Sequence, residues 1–374
     1  MNRVKALQQF GQSVWLDDLR RDLFTSGEFQ RLIDEDGLRG ATSNPSIFAK
    51  AITGGPEYLA TVHELDPNGS MTTTALYEAL AIRDIRDAAD LLRPVHDATN
   101  GADGFVSLEV SPLLAHDTGA TITEARRLWK DVGRANLMIK VPASLEGLPA
   151  IRQLTSEGIN VNITLLFAVD RYERVAQAYI DGLSAFADAG GDPARVNSVA
   201  SMFVSRIDTM VDRVLADRAG GAGVERFTGA SLQGEVAIAN ARLAYQRYQA
   251  LCRSSQWQQL AMRGARPQRL LWASTSTKNP RYSDVRYVEE LIGADTITTL
   301  TPATLAAFRD HGHARPSLTG RINDAKAIID ALPRFGIDLD QVTETLLEEG
   351  LASFRQALES LLAAIEEARA ENVR

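Results

Sequence analysis

The sequence predicts an α/β fold, a (β/α)8 TIM barrel with helical insertions and an extra C-terminal helix. Three observations predict it. Eight short apolar or alternating runs recur along the chain, amphipathic helical patterns separate them, and polar residues gather where several runs end. Strands alternating with helices imply parallel βαβ units, and eight such strands favour a closed barrel over an open doubly wound sheet.

The first run, residues 13–17, is followed by helix-like sequence through Ile33. Residues 38–43 and 105–110 form the second and third, 136–142 the fourth and 159–165 the fifth. Residues 195–201, 270–274 and 295–299 complete the set. Ile82, Ile85, Ala89 and Leu92 repeat at helical spacing before the third strand. Tyr172, Val175, Tyr179, Leu183 and Phe186 do so before Gly190-Gly191 ends their segment. Long insertions of helical pattern fall between strands two and three and between strands six and seven. From about Ile337 onward, Leu347, Leu351, Phe354, Leu358, Leu361 and Ile365 stand at heptad-like spacing, with Gly350 interrupting them. The run is short for a coiled-coil seam, so a terminal helix packed on the barrel is expected rather than a dimerisation helix. No linker, repeat or low-complexity tract divides the chain. Residues 1–374 therefore read as one domain, with a helical extension over about 337–374.

A barrel takes about 250 residues, so 374 residues accommodate one with insertions. The chain is 45% hydrophobic and 24% charged, an ordinary globular composition. A net charge of −8 argues against nucleic acid or an anionic membrane as partner. The single cysteine, Cys252, excludes an intrachain disulfide and a cysteine-cluster metal site, and fits a reducing compartment. The first residues are polar rather than a signal core, and no apolar run reaches the roughly 18 residues of a membrane span. The expectation is a cytoplasmic protein. Nucleotide and zinc motifs are missing, and the five histidines are scattered, with His311-Gly312-His313 read as a loop. No cofactor or metal is called for.

Lys140 stands inside the apolar run Leu137-Met138-Ile139-Lys140-Val141. Alternation puts it on the face of Met138, opposite Leu137, Ile139 and Val141. A lone lysine there reads most simply as a strand-end side chain that snorkels to water. Its company changes the reading. Asp17 shares a face with Trp15, Glu109 with Ser107, and Asn160, Asn162 and Thr164 share one face of the fifth strand. The second strand leads into Thr42-Ser43-Asn44-Pro45, and the sixth ends in Ser201. Singly, each is a satisfied core polar group, or for Asp17 a helix cap. Collected in the lumen near the strand carboxyl ends, they read as a catalytic pocket, because buried polar groups gain little as structure. An amine with two carboxylates suits imine chemistry. A neutral lysine attacks a carbonyl, and the iminium draws electrons from a breaking carbon–carbon bond. Asp17 takes a hydroxyl proton, and Glu109 moves protons through a water. Arg206, near the start of a predicted helix, and the loop from Ser274 to Asn279 suggest phosphate.

These residues resemble the transaldolase family, in order through all eight strands. Gly40-Ala41-Thr42-Ser43-Asn44-Pro45-Ser46-Ile47-Phe48 looks like its first signature, and Ile139-Lys140-Val141-Pro142-Ala143-Ser144 like its active-site signature. The chain length and Trp272-Ala273-Ser274-Thr275-Ser276 look like the actinobacterial and cyanobacterial branch. The resemblance implies transfer of a dihydroxyacetone unit from sedoheptulose 7-phosphate to glyceraldehyde 3-phosphate in the pentose phosphate pathway. It implies Lys140 as the Schiff-base lysine, Asp17 as acid/base for the donor C4 hydroxyl, and Glu109 and Thr164 as holders of the catalytic water. Asn44, Asn162 and Ser201 would orient the dihydroxyacetone moiety, and Arg206 with Ser274 would bind phosphate. The partners implied are phosphorylated sugars, with the protein either a monomer or a homodimer. Family members commonly carry Ala-Ser-Phe-Arg-Asn after strand seven. This chain has Ala273-Ser274-Thr275-Ser276-Thr277-Lys278-Asn279, so Lys278 is expected to replace the missing arginine as a point charge. The alternatives are a lyase like the fructose 6-phosphate aldolases and a non-catalytic sugar-phosphate-binding barrel. Those aldolases typically carry Gln where Glu109 stands and Tyr where Phe203 stands, so Glu109 and Phe203 favour transfer.

Overall fold

In the computed structural model, residues 2–54, 56–218, 229 and 231–371 are described. Eight parallel strands close into a barrel in chain order. They are β1 (Gln12–Leu16), β2 (Leu38–Thr42), β3 (Phe105–Glu109), β4 (Leu137–Pro142), β5 (Val161–Leu166), β6 (Ser198–Phe203), β7 (Arg269–Ala273) and β8 (Thr296–Leu300). β1 closes the ring on β8, with Gln12 opposite Thr296 and Leu16 opposite Leu300. The central strands are buried at every position, as expected where helices cover one face and lumen side chains fill the other.

Short helices α1 (Arg21–Thr25) and α2 (Glu28–Arg31) follow β1. The first insertion is helical, as its periodicity predicts, with α3 (Pro45–Gly54), α4 (Pro56–Leu65) and α5 (Thr73–Ala98). α6 (Thr118–Val132), α7 (Gly147–Ser156) and α8 (Val169–Asp188) return the chain between β3, β4, β5 and β6. The second insertion contains α9 (Ser205–Arg218), α10 (Val236–Cys252) and α11 (Ser255–Met262); residues 219–228 and 230 within it lie outside the described residues. α12 (Arg286–Glu290), α13 (Pro302–His311) and α14 (Ile322–Ala331) precede the last helix, α15 (Leu339–Glu371).

Three local expectations need correction. The sixth strand runs from Ser198 to Phe203, because Asp192 and Pro193 start a 3-10 turn that takes up Arg195. The alternation that puts Asn162 and Thr164 on one face of the fifth strand does not extend to Leu165: it adopts φ 54°, and the β5–β6 register shifts between Ile163 and Leu166. A left-handed leucine is sterically costly, and such an irregularity re-aims the side chain. Gly350 does not interrupt α15. It lies within the helix, where an added Cβ would sit 2.7 Å from Leu165 Cδ2. The glycine permits close approach of α15 to the end of β5. Leu347, Leu351, Phe354, Leu358, Leu361 and Ile365 are all buried, so α15 contributes its apolar stripe to the barrel.

Trp15 of β1 is fully buried beside β2. Its indole Nε1 donates to Asp103 Oδ1 at 2.8 Å, and a Cβ on Gly40 would lie 2.5 Å from the ring. Gly40 is therefore fixed by packing under the site. Among the described residues, no helix is long and apolar enough to cross a membrane.

Candidate active site

The strand register assembles the centre. Glu109 is opposite Lys140 across the β3–β4 pair, and Lys140 is opposite Asn162 across β4–β5. Parity aims the three side chains into the lumen at one level. Lys140 is 3% exposed, so the snorkelling alternative is excluded. Its Nζ donates to the Ser43 carbonyl at 3.1 Å and lies 3.2 Å from Glu109 Oε2. Neither Glu109 oxygen has a well-directed hydrogen bond, and the buried Thr164 hydroxyl has no protein partner. Burial pushes the Glu109 carboxyl above its ordinary range; the neighbouring Lys140 opposes the shift, and the charge of Asp17 adds to it.

Asn162 ties β3 to β6. Its Nδ2 donates to Ser107 Oγ at 2.9 Å, and its Oδ1 accepts from Ser201 Oγ at 2.6 Å. Asn160 belongs elsewhere. It donates to the Ala135 and Leu137 carbonyls at the opening end of β4, away from the mouth. Asp17 follows β1 and accepts from Thr42 Oγ1 at 2.8 Å, so it does not cap a helix. Asn44 does. Its Oδ1 accepts from Ile47 N at 3.0 Å at the head of α3, with Pro45 in the favoured first position. That contact occupies the Asn44 amide oxygen.

Asp17, Asn44, Lys140, Thr164, Ser201, Phe203, Arg206, Ser274 and Lys278 line one cavity of about 250 Å³ at the carboxyl ends of the strands. Glu109 and Asn162 lie outside its wall but touch it through Lys140 and Ser201. A larger cleft of about 850 Å³, between the α8, α10 and α14 regions, contains none of these groups.

Besides Lys140, the basic side chains lining the cavity are Arg206, Lys278 and a residue unnoticed in the sequence, Lys50 of α3. None of the three makes an ion pair among the described residues. Burial pushes the Arg206 guanidinium below its usual range, against the charge of Glu349. Burial also lowers Lys278, reinforced by Arg206 and Lys50 and opposed by Asp17. The Arg206 guanidinium also lies over the Phe203 ring, 5.6 Å from its centroid. Behind Lys278 the loop is pinned to α9: Tyr282 donates to Asp212 at 2.6 Å, and Tyr287 to Asp208 at 2.9 Å. Burial pushes Asp208 up to about 7.

Sequence reading also missed Phe354, which reaches the same cavity from α15. Periodicity marks it as buried without saying what it faces. His311 is the last residue of α13 rather than a loop residue; it pairs with Asp284 at 2.8 Å, and no cluster suited to a metal occurs among the described residues.

A family model described as Transaldolase/Fructose-6-phosphate aldolase matches residues 14–365. A Nostoc punctiforme protein named Transaldolase 2 is 47% identical over 372 residues, covering 98% of this chain and 97% of that protein. Proteins named Transaldolase from Thiobacillus denitrificans and Acidothermus cellulolyticus are each 48% identical. The first alignment covers 98% of this chain and 100% of that protein, the second 96% and 95%. The similarity thus runs through the barrel and its C-terminal helix, and reaches both cyanobacterial and actinobacterial relatives. With a buried lysine–glutamate pair at the carboxyl end of such a barrel, the chain belongs to the transaldolase/fructose-6-phosphate aldolase family.

Proposed function

We propose that this chain is a transaldolase, moving a dihydroxyacetone unit from sedoheptulose 7-phosphate to glyceraldehyde 3-phosphate through a Schiff base. The products are erythrose 4-phosphate and fructose 6-phosphate, in the non-oxidative pentose phosphate pathway. The observation that carries the reading is Lys140, buried beside Glu109 in the wall of a cavity that Asp17 also lines. We read the whole chain as one functional domain, working in the cytoplasm on phosphorylated sugars as a monomer or homodimer.

In this reading Lys140 passes a proton to Glu109, 3.2 Å away, and the free amine adds to the donor C2 carbonyl. Glu109, with the unpartnered Thr164 hydroxyl, holds the water through which the carbinolamine loses its oxygen. Asp17 takes the C4 hydroxyl proton; the C3–C4 electron pair moves toward the iminium, and the aldose leaves. The resulting enamine attacks the acceptor aldehyde. Asp17 returns the proton, and water releases the new ketose. Asn44, Asn162 and Ser201 orient the hydroxyls of the three-carbon unit.

Transfer is favoured over lyase activity by Glu109 and by Phe203, which has no hydroxyl to order a protonating water. Its ring packs on Phe167 at 5.4 Å. With fructose 6-phosphate as donor, transfer to erythrose 4-phosphate is expected to exceed release of free dihydroxyacetone by roughly a hundredfold. Rapid release without acceptor would establish the lyase instead.

Arg206, Lys278 and Lys50 serve the phosphate, with Ser274 contributing a hydroxyl. Lys278→Ala is expected to raise KM for phosphorylated substrates about tenfold and Lys50→Ala severalfold, with kcat nearly unchanged and unphosphorylated glyceraldehyde unaffected as acceptor. A lysine whose replacement leaves both KM values unchanged has no place in the site.

A further inference from the structure

We propose that Phe354, on the C-terminal helix, keeps bulk water from C3 of the enamine carried by Lys140 and so sets the partition between transfer to an aldehyde and protonation with release of free dihydroxyacetone. The inference rests on Lys140 being the imine-forming amine. Phe354 is 3% exposed and lines the cavity, with Lys140 Nζ 5.8 Å from its ring centroid. The other contacts of Nζ are polar: the Ser43 carbonyl and Glu109. Phe354 therefore supplies an apolar wall beside the polar contacts of the amine.

The helix is held where this matters. Gly350, one turn before Phe354, lets it approach Leu165, whose left-handed backbone lies immediately after Thr164. Arg171 pins the start of the helix through Glu344 at 2.9 Å while donating to the Ala143 carbonyl at 2.7 Å, just beyond β4. Arg369 pins the far end to Asp66, also at 2.9 Å. The ring is thus fixed from both sides rather than resting on a loose tail.

The intermediate has two fates. In transfer, C3 of the enamine attacks the acceptor carbonyl carbon, the new alkoxide takes the proton from Asp17, and water then adds at C2 so that the C2–nitrogen bond breaks and the new ketose leaves. In release, C3 takes a proton instead, water adds at C2, the C2–nitrogen bond breaks, and free dihydroxyacetone leaves the regenerated amine. Protonation of C3 delivered by water competes with transfer before any acceptor arrives. An apolar ring over the nitrogen slows it by exclusion.

The test compares Phe354→Ala and Phe354→Leu with the unaltered protein, using fructose 6-phosphate with and without erythrose 4-phosphate. The ratio of dihydroxyacetone release to transfer is expected to rise about tenfold in Phe354→Ala and to stay within about twofold of the original in Phe354→Leu, which retains apolar bulk. Equal loss of both rates, leaving the ratio unchanged in both variants, would reduce Phe354 to helix packing and overturn the proposal. Circular dichroism of both variants and borohydride trapping of all three proteins accompany the assay. Trapped adduct with an unchanged ratio defeats the role of Phe354 alone; no adduct in the unaltered protein defeats the Lys140 assignment and this inference with it.

Discussion

Lys140→Met is expected to lower kcat by roughly 10⁴-fold or more and to abolish borohydride trapping, because methionine offers no nucleophile for the imine. The other lysines of the cavity, Lys50 and Lys278, remain in its lining. The replacement also has a structural consequence. Methionine fills a similar volume, but Glu109 loses the cation 3.2 Å away while remaining buried. Breaking one side of a buried pair costs about 3–5 kcal/mol when the remaining group stays charged. Glu109 can avoid that cost by taking a proton, since burial already holds its carboxyl above the ordinary range. A carboxyl raised in the folded state binds more protons folded than unfolded, so stability falls as pH rises from the unfolded pKa through the folded one. Lys140→Met should therefore melt higher, relative to the unaltered protein, at pH 5 than at pH 8. Adding Glu109→Gln should flatten that difference. Near-normal turnover in Lys140→Met would remove this residue from the chemistry, and a pH-independent melting difference would show that its pairing with Glu109 contributes little to folding.

The positions that were legible in the sequence share a physical cause. A parallel strand buried on both faces appears as a short apolar run, so a charged residue inside one stands out, and two-residue alternation assigns its face. Lys140, Asp17 and Glu109 were found in this way. Parity cannot reveal which strands are neighbours or how they are staggered. The pairing of Glu109 with Lys140 and of Lys140 with Asn162 is a property of register. The misses were tertiary. Lys50 lies on an ordinary helical segment, and only the closure of α3 over the mouth turns it toward Arg206 and Lys278. Gly350 reads locally as a helix weakener, whereas its packing against Leu165 makes it a point of close approach. The family pattern located Arg206 and the altered loop around Lys278, but not Phe354, whose partner is more than two hundred residues away along the chain.

Asp17→Asn is expected to separate imine formation from carbon–carbon cleavage. The oxygen of the replacement amide can still accept the Thr42 hydroxyl that Asp17 accepts at 2.8 Å, so the local fold has little reason to change. An amide cannot take the C4 proton, and loss of a positioned general base lowers kcat by about 10²–10⁴-fold. Lys140, Glu109 and Thr164 remain, so the amine should still condense with the donor. The distinguishing product is the adduct trapped by borohydride. With fructose 6-phosphate, the unaltered protein should accumulate a three-carbon adduct on Lys140, because cleavage precedes reduction. Asp17→Asn should trap the whole hexose phosphate, because condensation is complete but the C3–C4 bond survives. Mass spectrometry of the Lys140 peptide reads the difference directly. A three-carbon adduct formed at the normal rate in Asp17→Asn would mean that another group takes the C4 proton. A failure to trap either adduct would instead give Asp17 a part in building the imine, as its electrostatic influence on Glu109 allows. Only the intact hexose adduct places Asp17 at the bond that breaks and leaves Lys140 and Glu109 sufficient for the step before it.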